Sequence, residues 1–192
     1  MQTGDDSDSD TVARLAGLDG HEVLRPAWEL PLPASPHEAA IDAGVSIESS
    51  RIGEALFSLR KTLTESRMVV ELAGGLMVPY SVTEEAGRHS ADLQVDWLRR
   101  MGAPFVLVAR SGLGTLNHTL LSLEVLGARH MVPRAILLLG DKHESNASTL
   151  RDLANGTPVL EVPRFKQLDV ESLDRWLADP QGDGPRLCDV LF

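Results

Sequence analysis

Residues 104–121 read PFVLVARSGLGTLNHTLL, and their order decides the fold class. An apolar run to Ala109 leads into Gly112 and Gly114, and Thr115 then opens a leucine-rich segment reaching about Ala128. That is a buried strand, a glycine turn and a helix. The unit recurs downstream. Arg134–Leu139 is an apolar strand ending at Gly140-Asp141, followed by helical spacing over Ser145–Ala154. Pro158–Val162 is a short strand ending at Pro163, followed by a helix over Leu168–Leu177 and a helical tail over Arg186–Phe192. Upstream, Ile47 to about Ser66 reads as an amphipathic helix, with Ile52, Ala55, Leu56, Leu59 and Leu63 on its apolar face. Arg67–Leu72 then reads as a buried strand stopping at Gly74-Gly75, and Ala91–Arg100 as a further helix. Three of the four strands are continuous apolar runs, which implies burial on both faces. The expectation is an α/β fold: a mostly parallel sheet with strands near 67–72, 104–109, 134–139 and 158–162, and helices on both faces.

The composition narrows the function. The chain has 192 residues, 43% hydrophobic and 24% charged, which suits a single globular domain spanning 1–192. With 18 Lys+Arg against 28 Asp+Glu, the net charge is −10. A general nucleic-acid binder or a protein of anionic membranes needs a basic surface, so neither is expected. One cysteine, Cys188, excludes a disulfide framework and a zinc site of paired cysteines within this sequence. No run approaches a membrane span, and the acidic start MQTGDDSDSD is no signal peptide, so a cytoplasmic location is expected.

In open parallel sheets, ligands bind beyond the carboxyl ends of the strands. Four places qualify: Glu71–Gly75, Arg110–Thr119, Gly140–Lys142 and Pro163–Phe165. Glu71, at the end of an expected buried strand, reads either as a Mg²⁺ ligand or as the partner of an arginine. Gly112 and Gly114 at a helix N-terminus suit a carboxylate or a phosphate, or simply a tight connection. Asp10 stands as an N-cap before Val12, Leu15 and Leu18. The Asp5–Asp10 run fails the calcium-loop pattern, because Thr11 and Gly17 stand where glycine and glutamate are needed. Ser111 is no nucleophile elbow, since Ala109 replaces the first glycine. Residues 26–36, with four prolines, form a long loop that ends in Ser35-Pro36-His37.

The ordered set of these segments resembles the dethiobiotin synthetase family. The matching signs are Gln2-Thr3-Gly4, Ser9-Asp10, Ser35-Pro36-His37, Val70-Glu71 with Ala73-Gly74-Gly75, the run from Ser111 to Leu121, and Val162-Pro163. The resemblance implies a P-loop-type three-layer α/β fold, a homodimer, and synthesis of dethiobiotin from 7,8-diaminononanoate, CO₂ and Mg-ATP. It implies that Asp10 and Glu71 hold Mg²⁺ and, with Leu72, Ala73 and Gly74, face the nucleotide phosphates. Thr3 and Ser35 fall at substrate-contacting positions. Gly112, Leu113, Gly114 and Asn117 fall where the substrate carboxylate is held across a dimer interface. Gly140, Asp141, Pro163, Arg164 and Phe165 fall in the loops around adenine.

The sequence also departs from that family. No G-x-x-x-x-G-K occurs, and none of Lys61, Lys142 and Lys166 follows a glycine. The resemblance therefore implies that the N-terminal strand, the P-loop helix and both catalytic lysines belong before Met1, and that this chain alone makes no dethiobiotin. A non-catalytic relative that binds a ligand or partner is the alternative. Leu72 replaces a usual glycine, and Gly140 a usual asparagine that reads adenine. Leu113, Leu116, Leu120 and Leu121 are more apolar residues than a one-sided helix needs, in keeping with a dimer face.

Overall fold

The computed structural model describes residues 1–4, 8–62, 67–178 and 187–191. The chain forms two compact units, Met1–Gly102 and Ala103–Phe192.

In the first unit, β1 (Gln2–Thr3) pairs in parallel with β2 (Glu29–Leu30), Thr3 opposite Leu30. Gly4 N–H continues the pairing to the Leu30 carbonyl at 2.9 Å. Between them runs α1 (Asp8–Ala16), with Asp8 and Asp10 in its first turn. Carboxylates there offset the positive end of the helix dipole. Asp10 is thus inside the helix, not its N-cap, and Asp5–Ser7 lie outside the described residues. The proline-rich loop ends in a helix that the pattern analysis missed, α2 (Pro36–Asp42), with Ser35 at the N-cap position and Pro36 in the first turn. Pro36, Ala39 and Ala40 are its buried face. Next comes α3 (Ser49–Thr62); Leu63 and Ser66, expected to extend it, lie outside the described residues.

The expected strand at Arg67–Leu72 is absent: these residues enter no ladder, and Val69 and Val70 are 88% and 44% exposed. An apolar run becomes a strand only where a neighbouring strand pairs with it, and no ladder among the described residues includes Arg67–Leu72. An antiparallel hairpin follows instead, β3 (Pro79–Glu85) with β4 (Arg88–Leu93), turning through positive φ at Ala86 and Gly87. Because Ala91–Leu93 belong to β4, the helix expected from residue 91 starts later, as α4 (Gln94–Met101). Gln94, Val95, Trp97 and Leu98 are buried.

The second unit alternates as the sequence pattern requires: β5 (Leu107–Arg110), α5 (Thr115–Gly127), β6 (Ile136–Leu139), α6 (Glu144–Leu153), β7 (Val159–Val162), then α7 (Val170–Ala178) and α8 (Leu187–Leu191). The Cys188 side chain lies outside the described residues. The sheet order is β5-β6-β7, all parallel, with Leu107 opposite Ile136 and Ile136 opposite Val159. Ile136, Leu138 and Val159 form a core with Ala147, Leu150 and Ala154 of the α6 segment. Leu116, Leu120 and Leu123 of α5 pack against it. Both helices therefore cover one face. Two successive right-handed crossovers stepping in one direction require this. Two-sided strand burial holds in β7, where Val159 and Leu160 point to opposite faces and are both buried, whereas β5 alternates and Val108 and Leu139 stay 56% and 42% exposed.

Candidate active site

The three expected loops of the second unit gather at the carboxyl edge of its sheet. Ser111 N–H donates to Leu139 O at 2.9 Å and Gly140 N–H to Val162 O at 3.0 Å, so the ladder runs one residue past β5 and β6. Gly112–Gly114, Gly140-Asp141 and Pro163–Phe165 all start from this line. Gly114, at φ 88, is the N-cap of α5. A side chain is strained there, which explains the glycine. His118 N–H closes on the Gly114 carbonyl at 3.1 Å. Arg164 approaches Asp141 at 3.6 Å, both exposed, and Phe165 meets the edge of Trp176.

Beside the glycine turn lies a cavity of about 430 Å³, lined by Leu113, Gly114, Leu116, Asn117, His143 and Asn146. His143 caps α6 by accepting the Asn146 N–H at Nδ1, 3.4 Å away. The start of α5 and the start of α6 both border this space, and such helix ends favour an anion. Sequence reading named Gly112, Leu113, Gly114 and Asn117. It did not name His143 or Asn146 as site residues. Both become visible only once β6 sets the start of α6 next to the turn.

In the first unit, Gln2, Gly4, Ser9, Asp10, Arg25 and Glu29 line part of a cavity of about 400 Å³. Thr3 is half-buried in β1, and the Gly4 Cα faces Pro33 closely enough that an added Cβ would stand 3.3 Å from it. The proline-rich loop thus runs beside the Gln2–Gly4 segment. Ser35 Oγ and His37 Nδ1 are hydrogen-bonded at 3.0 Å, which orients the Ser35 hydroxyl. Glu71 is exposed, so the cost of a buried carboxylate is no argument for its role. Its position is informative instead. The Met1 amino group is lowered from its ordinary value by burial, while Glu71 and then Asp8 pull the other way. Glu71 and the start of α1 therefore share one electrostatic neighbourhood, and Asp10 lies in that first turn.

After Glu71, the segment Leu72–Gly75 is held by a residue that sequence reading passed over. Gln94 is 1% exposed. Its Nε2 donates to the carbonyls of Gly75 at 3.0 Å and Gly74 at 3.4 Å, and its Oε1 accepts from Tyr80 at 3.2 Å. A polar side chain between Leu93 and Val95 was the only signal. Among the described residues, three potential metal ligands converge within 4.8 Å only at Asp19, His21 and Glu22, all exposed. Glu22 there already accepts the Asp19 N–H at 2.8 Å.

A family model described as "AAA domain" matches residues 1–172. The ATP-dependent dethiobiotin synthetase BioD of Rhodopseudomonas palustris is 36% identical over 193 aligned positions, covering 96% of this chain and 84% of the relative. This chain belongs to the dethiobiotin synthetase family. The BioD protein of Agrobacterium fabrum is likewise 36% identical over 180 positions, with 93% and 78% coverage. The biotin biosynthesis bifunctional protein BioCD of Bordetella avium is 35% identical over 179 positions, covering 92% of this chain but 35% of that longer protein. The parallel β5-β6-β7 sheet agrees with the P-loop-type α/β class of the dethiobiotin synthetase family. No helix among the described residues is long and apolar enough to cross a membrane.

Proposed function

We propose that this chain, read as one dethiobiotin-synthetase-like domain over 1–192, serves the ATP-dependent carboxylation and ureido ring closure of 7,8-diaminononanoate with CO₂. The observation that carries this reading is the Gly112–Asn117 turn, set at the carboxyl edge of a parallel sheet beside a cavity bordered by two helix starts. There Gly112, Leu113, Gly114 and Asn117 receive the substrate carboxylate. Gly140, Asp141, Pro163, Arg164 and Phe165 surround the nucleotide base. In the first unit, Thr3 and the His37-oriented Ser35 hydroxyl contact substrate, and the backbone of Leu72–Gly74 faces phosphate. Asp10 and Glu71 are hard oxygen donors, exposed and associated with the same helix start, which fits a Mg²⁺ ligand pair completed by phosphate and water. When bound, the ion would neutralise phosphate charge. Leu113 and Leu121, 96% and 58% exposed, support a homodimer face along α5. The acidic balance supports a cytoplasmic, metabolite-handling protein rather than a nucleic-acid binder.

A second reading, ligand binding without turnover, is favoured by Leu72 and Gly140, which stand where the family usually has a glycine and an adenine-reading asparagine. One experiment separates the two. The 192-residue chain and an upstream-extended form are assayed for dethiobiotin from diaminononanoate, bicarbonate and Mg-ATP. Turnover by the extended form supports the enzyme. Nucleotide binding with no turnover by either form supports the second reading. In the active form, Glu71→Gln is expected to cut ATP turnover by on the order of a hundredfold with an unchanged melt. Near-normal turnover would reject the metal role.

A further inference from the structure

Ser111, one residue beyond β5, is 6% exposed and fully engaged. Its N–H donates to the Leu139 carbonyl at 2.9 Å, its carbonyl accepts from Asn146 Nδ2 at 2.9 Å, and its Oγ donates to the Asp141 carbonyl at 2.6 Å. These partners belong to the end of β6, the first turn of α6 and the loop between them. Gly140 completes the arrangement. Its φ is 127°, and an added Cβ would stand 2.8 Å from Ser111 Oγ. The hydroxyl at 111 thus fills the space that a side chain at 140 would need, and the two positions are matched.

We propose that Ser111 is a positioning residue that fixes the glycine turn against the Asp141 loop before any ligand arrives. The inference rests on the reading above, in which the turn takes the substrate carboxylate and the loop faces the nucleotide. Ser111 acts through its neighbours: Gly114, Asn117 and Asn146 line the cavity, and Asn146 is held by the Ser111 carbonyl. Fixed spacing matters because a displacement of about 1 Å in a positioned group can cost on the order of a hundredfold in rate. Removing the hydroxyl takes its donor from the Asp141 carbonyl and loosens both segments together, while the bonds to Leu139 and Asn146 remain.

The test uses the full chain as wild type, Ser111→Ala, Gly140→Ala and the double variant. Hydrogen exchange is the first readout. Ser111→Ala is expected to speed exchange in both 112–117 and 141–146 by about five- to tenfold, the scale of one lost hydrogen bond. Exchange that rises in one segment only, or in neither, overturns the proposal. Melting is the second. Gly140→Ala should lower the midpoint by several degrees in the wild-type background. In the Ser111→Ala background it should lower it by clearly less, because the hydroxyl is gone and the remaining contact is an ordinary 4.0 Å. Equal losses in the two backgrounds overturn the matched pair. In the turnover-competent form, KM for both diaminononanoate and ATP should rise together in Ser111→Ala; a rise in one alone overturns the coupling. If the upstream-extended wild type makes no dethiobiotin, the proposed reaction fails, while exchange and melting still decide the role of Ser111.

Discussion

Two glycine turns of this chain present backbone to their surroundings, and they are held in different ways. The Gly112–Gly114 turn grows out of a parallel ladder that continues past the strand ends, and it is stapled by Ser111 and Asn146 above a leucine core. Among the described residues no ladder lies beneath the Gly74-Gly75 turn. Its two carbonyls accept from one buried side chain, Gln94, whose own acceptor is met by Tyr80, and the Gly75 carbonyl also accepts the Val78 N–H at 3.1 Å. A turn on a sheet is over-determined, so the loss of one contact leaves others in place. A turn held by one side-chain amide and a single backbone bond depends mostly on that amide. A buried donor or acceptor that loses its partner costs roughly 1–3 kcal/mol.

The largest effect is expected from attacking the sheet-borne turn through its core. Leu150 is fully buried among Ile136, Leu138 and Val159. Leu150→Ala should destabilise by about 3 kcal/mol, from lost transfer energy and the cavity left behind. Urea unfolding should show a lower midpoint at unchanged slope. A loss under about 1 kcal/mol would mean that the core collapses around the gap and is not what fixes the turn.

Gln94→Leu should come next, at about 2 kcal/mol, because shape is nearly kept while the Gly74 carbonyl and the Tyr80 hydroxyl lose the Gln94 amide and the Gly75 carbonyl is left with the Val78 N–H at 3.1 Å. Its distinguishing sign is local. Amides of 71–78 should exchange faster, while those of 112–117 keep their protection. If 71–78 stays protected, backbone bonds such as Gln94 N–H to Val78 O at 3.0 Å and Val95 N–H to Leu76 O at 2.9 Å suffice, and the comparison fails.

The same contrast explains what the sequence disclosed. In 103–192 the strands, glycine turns and helices follow each other at short range, so their apolar periodicity and punctuation coincide with the observed elements within a few residues. The candidate loops at 112–117, 140–141 and 163–165 follow from strand ends alone. In 1–102 the decisive contacts are long-range or locally ambiguous. Arg67–Leu72 looks like a strand because apolar character is local, but strand pairing is not. The 79–93 hairpin was hidden because its turn, Ala86-Gly87, carries a positive φ at an alanine, and its exposed face offers little alternation. Helix α2 did have a signal, a serine followed by proline at the first helical position, which the four-proline loop obscured. Gln94 could not be found, since nothing in its neighbours announces carbonyls twenty residues upstream.

The smallest expected effect sharpens the comparison through pH. Tyr80 packs edge-on to Trp97, and its hydroxyl donates to Gln94. Burial, with Asp92 adding and Arg100 opposing, pushes its pKa from 10.0 up to about 12. The folded state thus holds this proton more tightly than the unfolded chain does. That contribution is complete below pH 10.0 and is lost as pH rises toward about 12. Tyr80→Phe should cost about 1 kcal/mol at neutral pH, since Gln94 loses one donor while keeping both glycine carbonyls. It should also remove the Tyr80 part of the alkaline decline. Urea unfolding at about pH 7, 9 and 11 would read both, with wild type and variant converging at the highest pH. Parallel curves would show that the hydroxyl is not coupled to folding, and that Gln94 holds the Gly74-Gly75 turn without help from Tyr80.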